Sequence, residues 1–268
     1  MDRRKNFFWW KIILTVISFI LIILTKSNID FRNITNNYFD IILAKEIAYD
    51  LSIGIFSALV LVWFIDEIND NIQEKIAEKK EVDAIMRADK IIQQYIKHYE
   101  KFYYCVSTPI GKRNFNNMIL SVDFTLKDIR DLYKTTTLMN DDLFTSSIER
   151  FLFFELELRK NIEFTIRSVN FEYHPQFALI LSNYIETSIK YDNRSVLLGN
   201  KNVTLGTEPY ETFISKLLED EGEQYYKSVM SQPLRKGCTL NPYVYLVVMM
   251  KEEYRILNEY KKEIEKLK

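Results

Sequence analysis

Apolar positions fall along this chain in two different rhythms. Residues 7–25 and 47–65 are nearly continuous apolar runs, whereas the remainder alternates apolar and charged positions at helical spacing. At about 1.5 Å of rise per residue, a helix over 7–25, interrupted only by Lys11, matches the ~30 Å hydrocarbon thickness of a bilayer. The second run is less pure. Its uncharged part is 51–65, and it reaches full thickness only with Ile47, Ala48, Tyr49 and an interfacial Asp50. The pattern predicts a mainly α chain: an N-terminal transmembrane helical hairpin, then a cytoplasmic all-helical domain with a possible small β-hairpin.

The first run follows Arg3, Arg4 and Lys5, as the core of a signal peptide would. It is longer than such a core, and Thr25, Lys26, Ser27 and Asn28 offer no small-residue cleavage pattern, so it reads as a retained span. Those cations and Lys11 are denser than Lys26, Arg32 and Lys45 of the connecting segment, which also carries Asp30, Asp40 and Glu46. The bias places both termini in the cytoplasm. Phe7, Phe8, Trp9 and Trp10 open the first span and Trp63 and Phe64 close the second, so a hairpin brings both aromatic clusters to one headgroup layer.

From Asp66 to about Ser107 there is neither proline nor glycine, so the second span is expected to continue as one long helix. Ile65, Ile68, Ile72 and Ile76 keep a helical stripe until Glu78, Lys79, Lys80 and Glu81 interrupt it. Ile85, Ile92, Tyr99 and Val106 then recur every seven residues, each of the first three followed at three by Ala88, Tyr95 and Phe102. Tyrosine and phenylalanine at these positions favour docking on the chain's own domain; an oligomerising coiled-coil stalk is the alternative. The expected organisation is a hairpin over 1–66, a stalk over 67–110 and a helical domain over 111–268.

Periodicity predicts further helices. Phe115, Ile119, Val122, Leu126, Ile129 and Tyr133 place one over about 114–134. Another is expected after Asn140, Asp141 and Asp142, with Ile148, Phe151, Leu152, Glu155, Leu158, Ile162, Ile166 and Val169 carrying it toward His174 and Pro175. Pro175 should open a helix to about Tyr191. Between 195 and 207, Val196-Leu197-Leu198 and Val203-Thr204-Leu205 flank Gly199-Asn200, which predicts a hairpin or ordered loop. Glu208-Pro209 should begin a helix to about Met230, and Asn241-Pro242 should cap a last one. That helix opens with eight apolar residues, 243–250, too few to span a bilayer and suited to the domain's centre. Leu257, Tyr260, Ile264 and Leu267 continue it as an amphipathic face, read as an ordinary packed terminus with an interaction surface as the alternative.

Composition removes several classes of chemistry. A net charge of −1 gives no reason to expect direct nucleic-acid binding. The two cysteines, Cys105 and Cys238, are too far apart in sequence to mark a zinc motif or a disulfide framework. Six scattered glycines build no phosphate-cradling loop, and two histidines, His98 and His174, exclude a three-histidine zinc site. No metal or cofactor is expected, and the pairs Asp141/Asp142 and Glu155/Glu157 read as caps or solvated faces. Arg167 and His174 match the Arg-x(4–6)-His spacing of HEPN ribonucleases, all-helical enzymes in which that pair cleaves RNA at a helix end. The resemblance covers two residues, and Ser168 stands where that family prefers a bulkier polar side chain. If it holds, Arg167 and His174 are catalytic; otherwise His174 is a helix-end residue and Arg167 a surface one.

On span two, Gly54, Ser57 and Ala58 form a small-residue face, and Thr15 and Ser18 share a face of span one. Such faces serve packing within a hairpin or association between hairpins, and Asp50 would line an opening formed by the latter. The layout of a short two-span hairpin, a charged helical extension and a helical domain low in glycine resembles membrane effectors of bacterial antiviral systems, including those encoded beside retrons. The resemblance implies a multi-pass protein of the bacterial inner membrane, a homo-oligomer in the lipid bilayer. It also implies silencing by the helical domain or by a regulatory protein or ribonucleoprotein partner, and release on infection to permeabilise the membrane. A membrane-anchored HEPN-like ribonuclease and a non-catalytic scaffold are the alternatives.

Overall fold

The computed structural model describes residues 2–26, 38–136, 145–201, 203–230 and 234–268, with side chains from Ile12 in the first helix, from Glu46 in the second, and not at Leu205. The expected helix start at Asn140, Asp141 and Asp142 lies outside the described residues, as do the side chains of 2–11 and most of the segment joining the two apolar runs. The chain is mainly helical. Its elements are α1 (Asp2–Lys26), α2 (Tyr38–Ser107), a 3-10 turn (Ile110–Lys112), α3 (Ser147–Ser168), α4 (Pro175–Lys190), α5 (Arg194–Asn200), β1 (Thr204–Leu205), β2 (Glu208–Pro209), α6 (Tyr210–Asp220), α7 (Gly222–Val229) and α8 (Asn241–Lys266).

Contacts divide the chain into two units, Met1–Glu78 and Lys79–Lys268, a boundary that falls inside the 67–110 segment. In the first unit, α1 and the early part of α2 meet through the rings of Phe19 and Phe56, whose centroids lie 6.0 Å apart. By length and composition α2 contains a segment able to cross a membrane, with only 6% of that segment buried. Most described apolar residues of α1 between Ile13 and Leu24 are exposed as well.

The second unit closes its own core. From Glu81 onward α2 buries Ile85, Ile92, Ile96, Tyr99, Phe102 and Val106, so the sevenfold repeat packs into the chain's own domain. Opposite lie Phe151, Leu158 and Ile162 of α3, Phe177, Leu181 and Tyr184 of α4, and the apolar opening of α8, with Tyr243, Leu246, Val247 and Met250 buried. Helix α4 packs against both α3 and α8. Leu257, Tyr260 and Ile264 are buried too, so the C-terminal half of α8 is a packed terminus.

Residues 113–136 form turns and irregular backbone where a helix over 114–134 is expected. Short polar side chains there take the backbone groups that a helix needs: Asn114 Oδ1 accepts from the Asn116 N–H at 3.1 Å, Ser121 Oγ from Asp123 at 2.9 Å, and Asp128 Oδ2 from Thr125 at 2.9 Å. Of the predicted stripe, Leu126, Ile129 and Tyr133 still reach the core, joined by Phe124 and Leu132, whereas Phe115 and Val122 are half-buried and Ile119 is 71% exposed. Arg113 holds the segment in place. Its guanidinium donates to the carbonyls of Thr108 (2.9 Å), Thr136 (2.9 Å), Thr135 (3.4 Å) and Cys105, closing the C-terminal end of α2 without a glycine cap.

Other boundaries move for local reasons. A capping box starts α3: the Ser146 N–H donates to Glu149 Oε2 at 2.7 Å and Ser146 Oγ accepts from the Glu149 N–H at 3.4 Å. Helix α3 stops at Ser168, short of His174. Val196, Leu197 and Leu198 belong to α5, not to a strand. The hairpin pairs Leu205 with Glu208 and Thr204 with Pro209 around Gly206, whose φ of 64° suits the tight turn. Glu208-Pro209 is thus a strand, and the helix expected to reach Met230 breaks into α6 and α7. At the break, a Cβ on Gly222 would stand 3.1 Å from the Leu126 Cβ, so the turn before α7 touches the irregular segment through glycine.

Candidate functional site

Within the first unit, Ser18 and Ser52 are buried and satisfy their hydroxyls on their own helices. Ser18 Oγ donates to the Thr15 carbonyl at 3.0 Å and Ser52 Oγ to the Ala48 carbonyl at 2.6 Å, the internal bonding that an apolar surrounding demands. Together with Phe19 and Phe56 they mark the side on which α1 and α2 meet. Gly54, Ser57 and Ala58 are exposed, and a Cβ at Gly54 would meet nothing within 4 Å. The small-residue face therefore does not pack against α1 as within-hairpin packing requires. With Ile47, Asp50, Leu51 and Ile55, Gly54 and Ala58 line an open groove of about 630 Å³, and Asp50 is exposed at its edge.

His174 is the N-cap of α4, before Pro175 in the first turn, and its surroundings centre on Glu81 of α2. The buried Glu81 carboxylate accepts from three successive backbone N–H groups: Glu172 at 2.9 Å, Tyr173 at 3.0 Å and His174 at 2.8 Å. Its Oε1 also lies 3.1 Å from Nδ1 of the His174 ring. Orphan donors at the start of α4, joined by the positive end of its dipole, thus meet one anion. Burial raises the Glu81 pKa, but the bonds from Tyr173, His174 and Glu172 outweigh it and hold the carboxyl below its ordinary value. Arg167 sits exposed in the last turn of α3, and among the described residues no hydrogen bond or ion pair joins it to His174. The ring that a ribonuclease reading would use as an acid or base is committed to Glu81.

A second polar cluster lies deep in the core, between α2, α3, α4 and α8. Glu155, expected on a solvated face beside Glu157, is completely buried; Arg194 pairs with its Oε2 and Ser188 Oγ donates to its Oε1. Arg159 donates to Ser188 at 3.2 Å and pairs with Asp192 at 3.4 Å, and Arg194 also reaches Asp192 at 3.1 Å. Glu253 of α8, also fully buried, accepts from the Tyr99 hydroxyl at 3.0 Å. Its Oε1 and the Tyr184 hydroxyl make no hydrogen bond. Burial and then the Glu155 charge push the Glu253 pKa well above its ordinary value and favour its protonated form. The sequence carried a signal for both: each glutamate interrupts an apolar stripe, Glu155 between Leu152 and Leu158 and Glu253 between Met250 and Leu257. Glu155 and Glu253 are completely buried and bond to other side chains of the core.

Among the described residues, no group of three or more His, Cys, Asp or Glu side chains is placed to hold a metal ion. Cys105 is buried and Cys238 half-buried, and neither forms a disulfide. No known protein family, curated protein or solved structure matches the chain.

Proposed function

We propose that residues 7–65 form a two-span membrane hairpin, with both termini cytoplasmic, and that the chain is a membrane-embedded effector. Its spans associate or rearrange to perturb the bilayer under control of the helical domain, in the defence setting that its layout implies. One observation carries the reading. The second unit completes its core from its own side chains, while Ile13, Leu14, Val16, Ile17, Phe19 and Ile20 of α1, and Leu51, Ile55, Val60, Leu61 and Phe64 of α2, stay exposed. About half exposed, each such side chain left in water forgoes roughly 1 kcal/mol or more, and a contiguous apolar surface of this extent on a soluble protein would aggregate. Lipid removes the cost without any further fold. The outward Gly54/Ala58 groove supports association between copies over packing inside one hairpin.

Alkaline carbonate extraction and induced expression with a potential-sensitive dye test it. The chain should stay in the membrane pellet, and induction should depolarise the cells. Gly54→Leu combined with Ala58→Leu should reduce depolarisation without releasing the protein, and Arg167→Ala should change nothing. A protein that is extracted by carbonate and monodisperse without detergent refutes the membrane reading; loss of toxicity in Arg167→Ala puts a ribonuclease in its place.

A further inference from the structure

The exposed isoleucines of α2 do not stop where a bilayer would. Ile65, Ile68, Ile72 and Ile76 are 47%, 43%, 48% and 41% exposed. Lipid accounts for the first of them only. Ile76 lies eleven residues beyond Ile65, about 16 Å along the axis, past a headgroup layer of roughly 5–8 Å. Ile68, about 4.5 Å past Ile65, still lies in that layer, but among Asp66, Glu67, Asp70, Glu74, Lys75 and Glu78 the bare Ile72 and Ile76 continue the line into water.

This line continues the groove. Taking about 100° per residue from Gly54, the positions of Ala58, Leu61, Ile65, Ile68, Ile72 and Ile76 all fall within about 40° of it. Ser52 and Phe56, which mark the α1 side, fall about 160° away. All five carboxylates, Asp66, Glu67, Asp70, Glu74 and Glu78, fall about 120° or more away, so between Asp50 and Lys79 at its ends the face has one flanking charge, Lys75. The helix presents α1 and its acids to one side and an uninterrupted apolar edge about 33 Å long to the other.

We infer that this edge of α2, from Gly54 through Ile76, is where a second copy of this chain docks in parallel. The inference rests on the membrane reading and gives it an interface. The occupant must be apolar both at bilayer depth and for several turns beyond, and it must present that surface at a matching height. A second copy does both, because insertion gives every copy the same orientation and depth, so identical edges meet in register about a two-fold axis. Glycine and alanine let the backbones approach in lipid, and Ile65, Ile68, Ile72 and Ile76 carry the same face onward at spacings of three and four, which seat a parallel pair. With the carboxylates turned away, the pair brings no acids together along the isoleucine segment. The heptads at 85–106 are spent on the chain's own core, which leaves 54–76 as the pairing segment.

Cysteine cross-linking of the full-length protein in native membranes tests this, on a Cys238→Ser background with Cys105 buried. Single substitutions Ile68→Cys, Ile72→Cys and Ile76→Cys should give a band of dimer mass on oxidation, several-fold stronger than Asp70→Cys and Glu74→Cys on the opposite face. Adding Ile72→Lys should abolish the band from Ile76→Cys. Equal cross-linking around the helix, no dimer from any position, or adducts of another mass at the isoleucines would overturn the inference. The membrane fraction is scored in the same samples. A chain that remains in the membrane without the striped pattern refutes the pairing alone, and a chain found in the soluble fraction refutes both.

Discussion

Removing the Glu81 carboxylate should undo the start of α4. In Glu81→Ala the N–H groups of Glu172, Tyr173 and His174 lose their shared acceptor, and the His174 ring loses its partner. Hydrogen bonds to a charged group are worth about 1.5–3 kcal/mol, and a buried donor left unpaired costs about 1–3 kcal/mol. The segment 172–174 lies near the surface, so water replaces part of the loss and screens the charge, and a total of about 3–4 kcal/mol is expected. Glu81→Gln keeps one acceptor oxygen, turns an NH₂ group toward the other donors, and should cost about 2 kcal/mol. Denaturation of the detergent-solubilised protein, followed by tyrosine near-ultraviolet circular dichroism, reports mainly on the second unit, which holds every tyrosine but Tyr38 and Tyr49. The effect has a pH signature. Because the folded state holds the Glu81 pKa below its ordinary 4.5, its contribution is complete above that value and is lost as pH falls through the lowered one. The wild type should therefore lose stability on acidification in a component that Glu81→Gln lacks. An unchanged midpoint in Glu81→Ala, or the same acid component in both proteins, refutes the reasoning.

The remaining predictions concern packing and protonation. Glu253→Gln should be tolerated to within about 1 kcal/mol, because the fold favours the protonated acid that it mimics, whereas Glu155→Gln leaves Arg194 with Asp192 alone and should cost about 3 kcal/mol in a thermal melt. With the Glu253 pKa raised in the fold, the stability its protonated form contributes is complete below its ordinary 4.5 and declines as pH rises toward the raised value, so the wild type should lose stability on alkalinisation in a component that Glu253→Gln lacks. Ser146→Ala removes one half of the α3 capping box and should cost about 1 kcal/mol by urea denaturation. Gly222→Ala forces a methyl against Leu126 and should cost about 1–3 kcal/mol, while Gly111→Ala, in open space, should melt like the wild type.

What the sequence made legible depended on whether a segment's polar residues compete with its backbone. Helix α8 was legible because eight apolar residues follow Asn241-Pro242 with no short polar side chain to divert it, and α4 because Pro175 fixes its first turn. The stretch around Phe115 to Tyr133 has an equally good apolar period, but Asn114, Ser121, Thr125 and Asp128 bond the nearby main chain and turn a helical pattern into turns. Ser146 and Glu149 carried the start of α3 in plain view, three residues apart. The hairpin was expected in the right region but one element too soon, since Leu197 finds burial as part of a helix. The candidate site was the least legible. Arg167 and His174 are near in sequence, yet the partner His174 meets is Glu81, whose place in the run Glu78-Lys79-Lys80-Glu81 gives no hint that one of the four is buried. Distance along the chain conceals such pairs.

Arg113 has a consequence for how relatives of this chain can be found. Its planar cation gathers carbonyls from three places, Cys105, Thr108 and the 135–136 pair, and lysine, with a single nitrogen, cannot reproduce that fork. A core isoleucine can give way to leucine with modest loss, but no small change of side chain preserves a junction built on one guanidinium. In a divergent sequence, an arginine shortly after a long unbroken helix is the signature to seek.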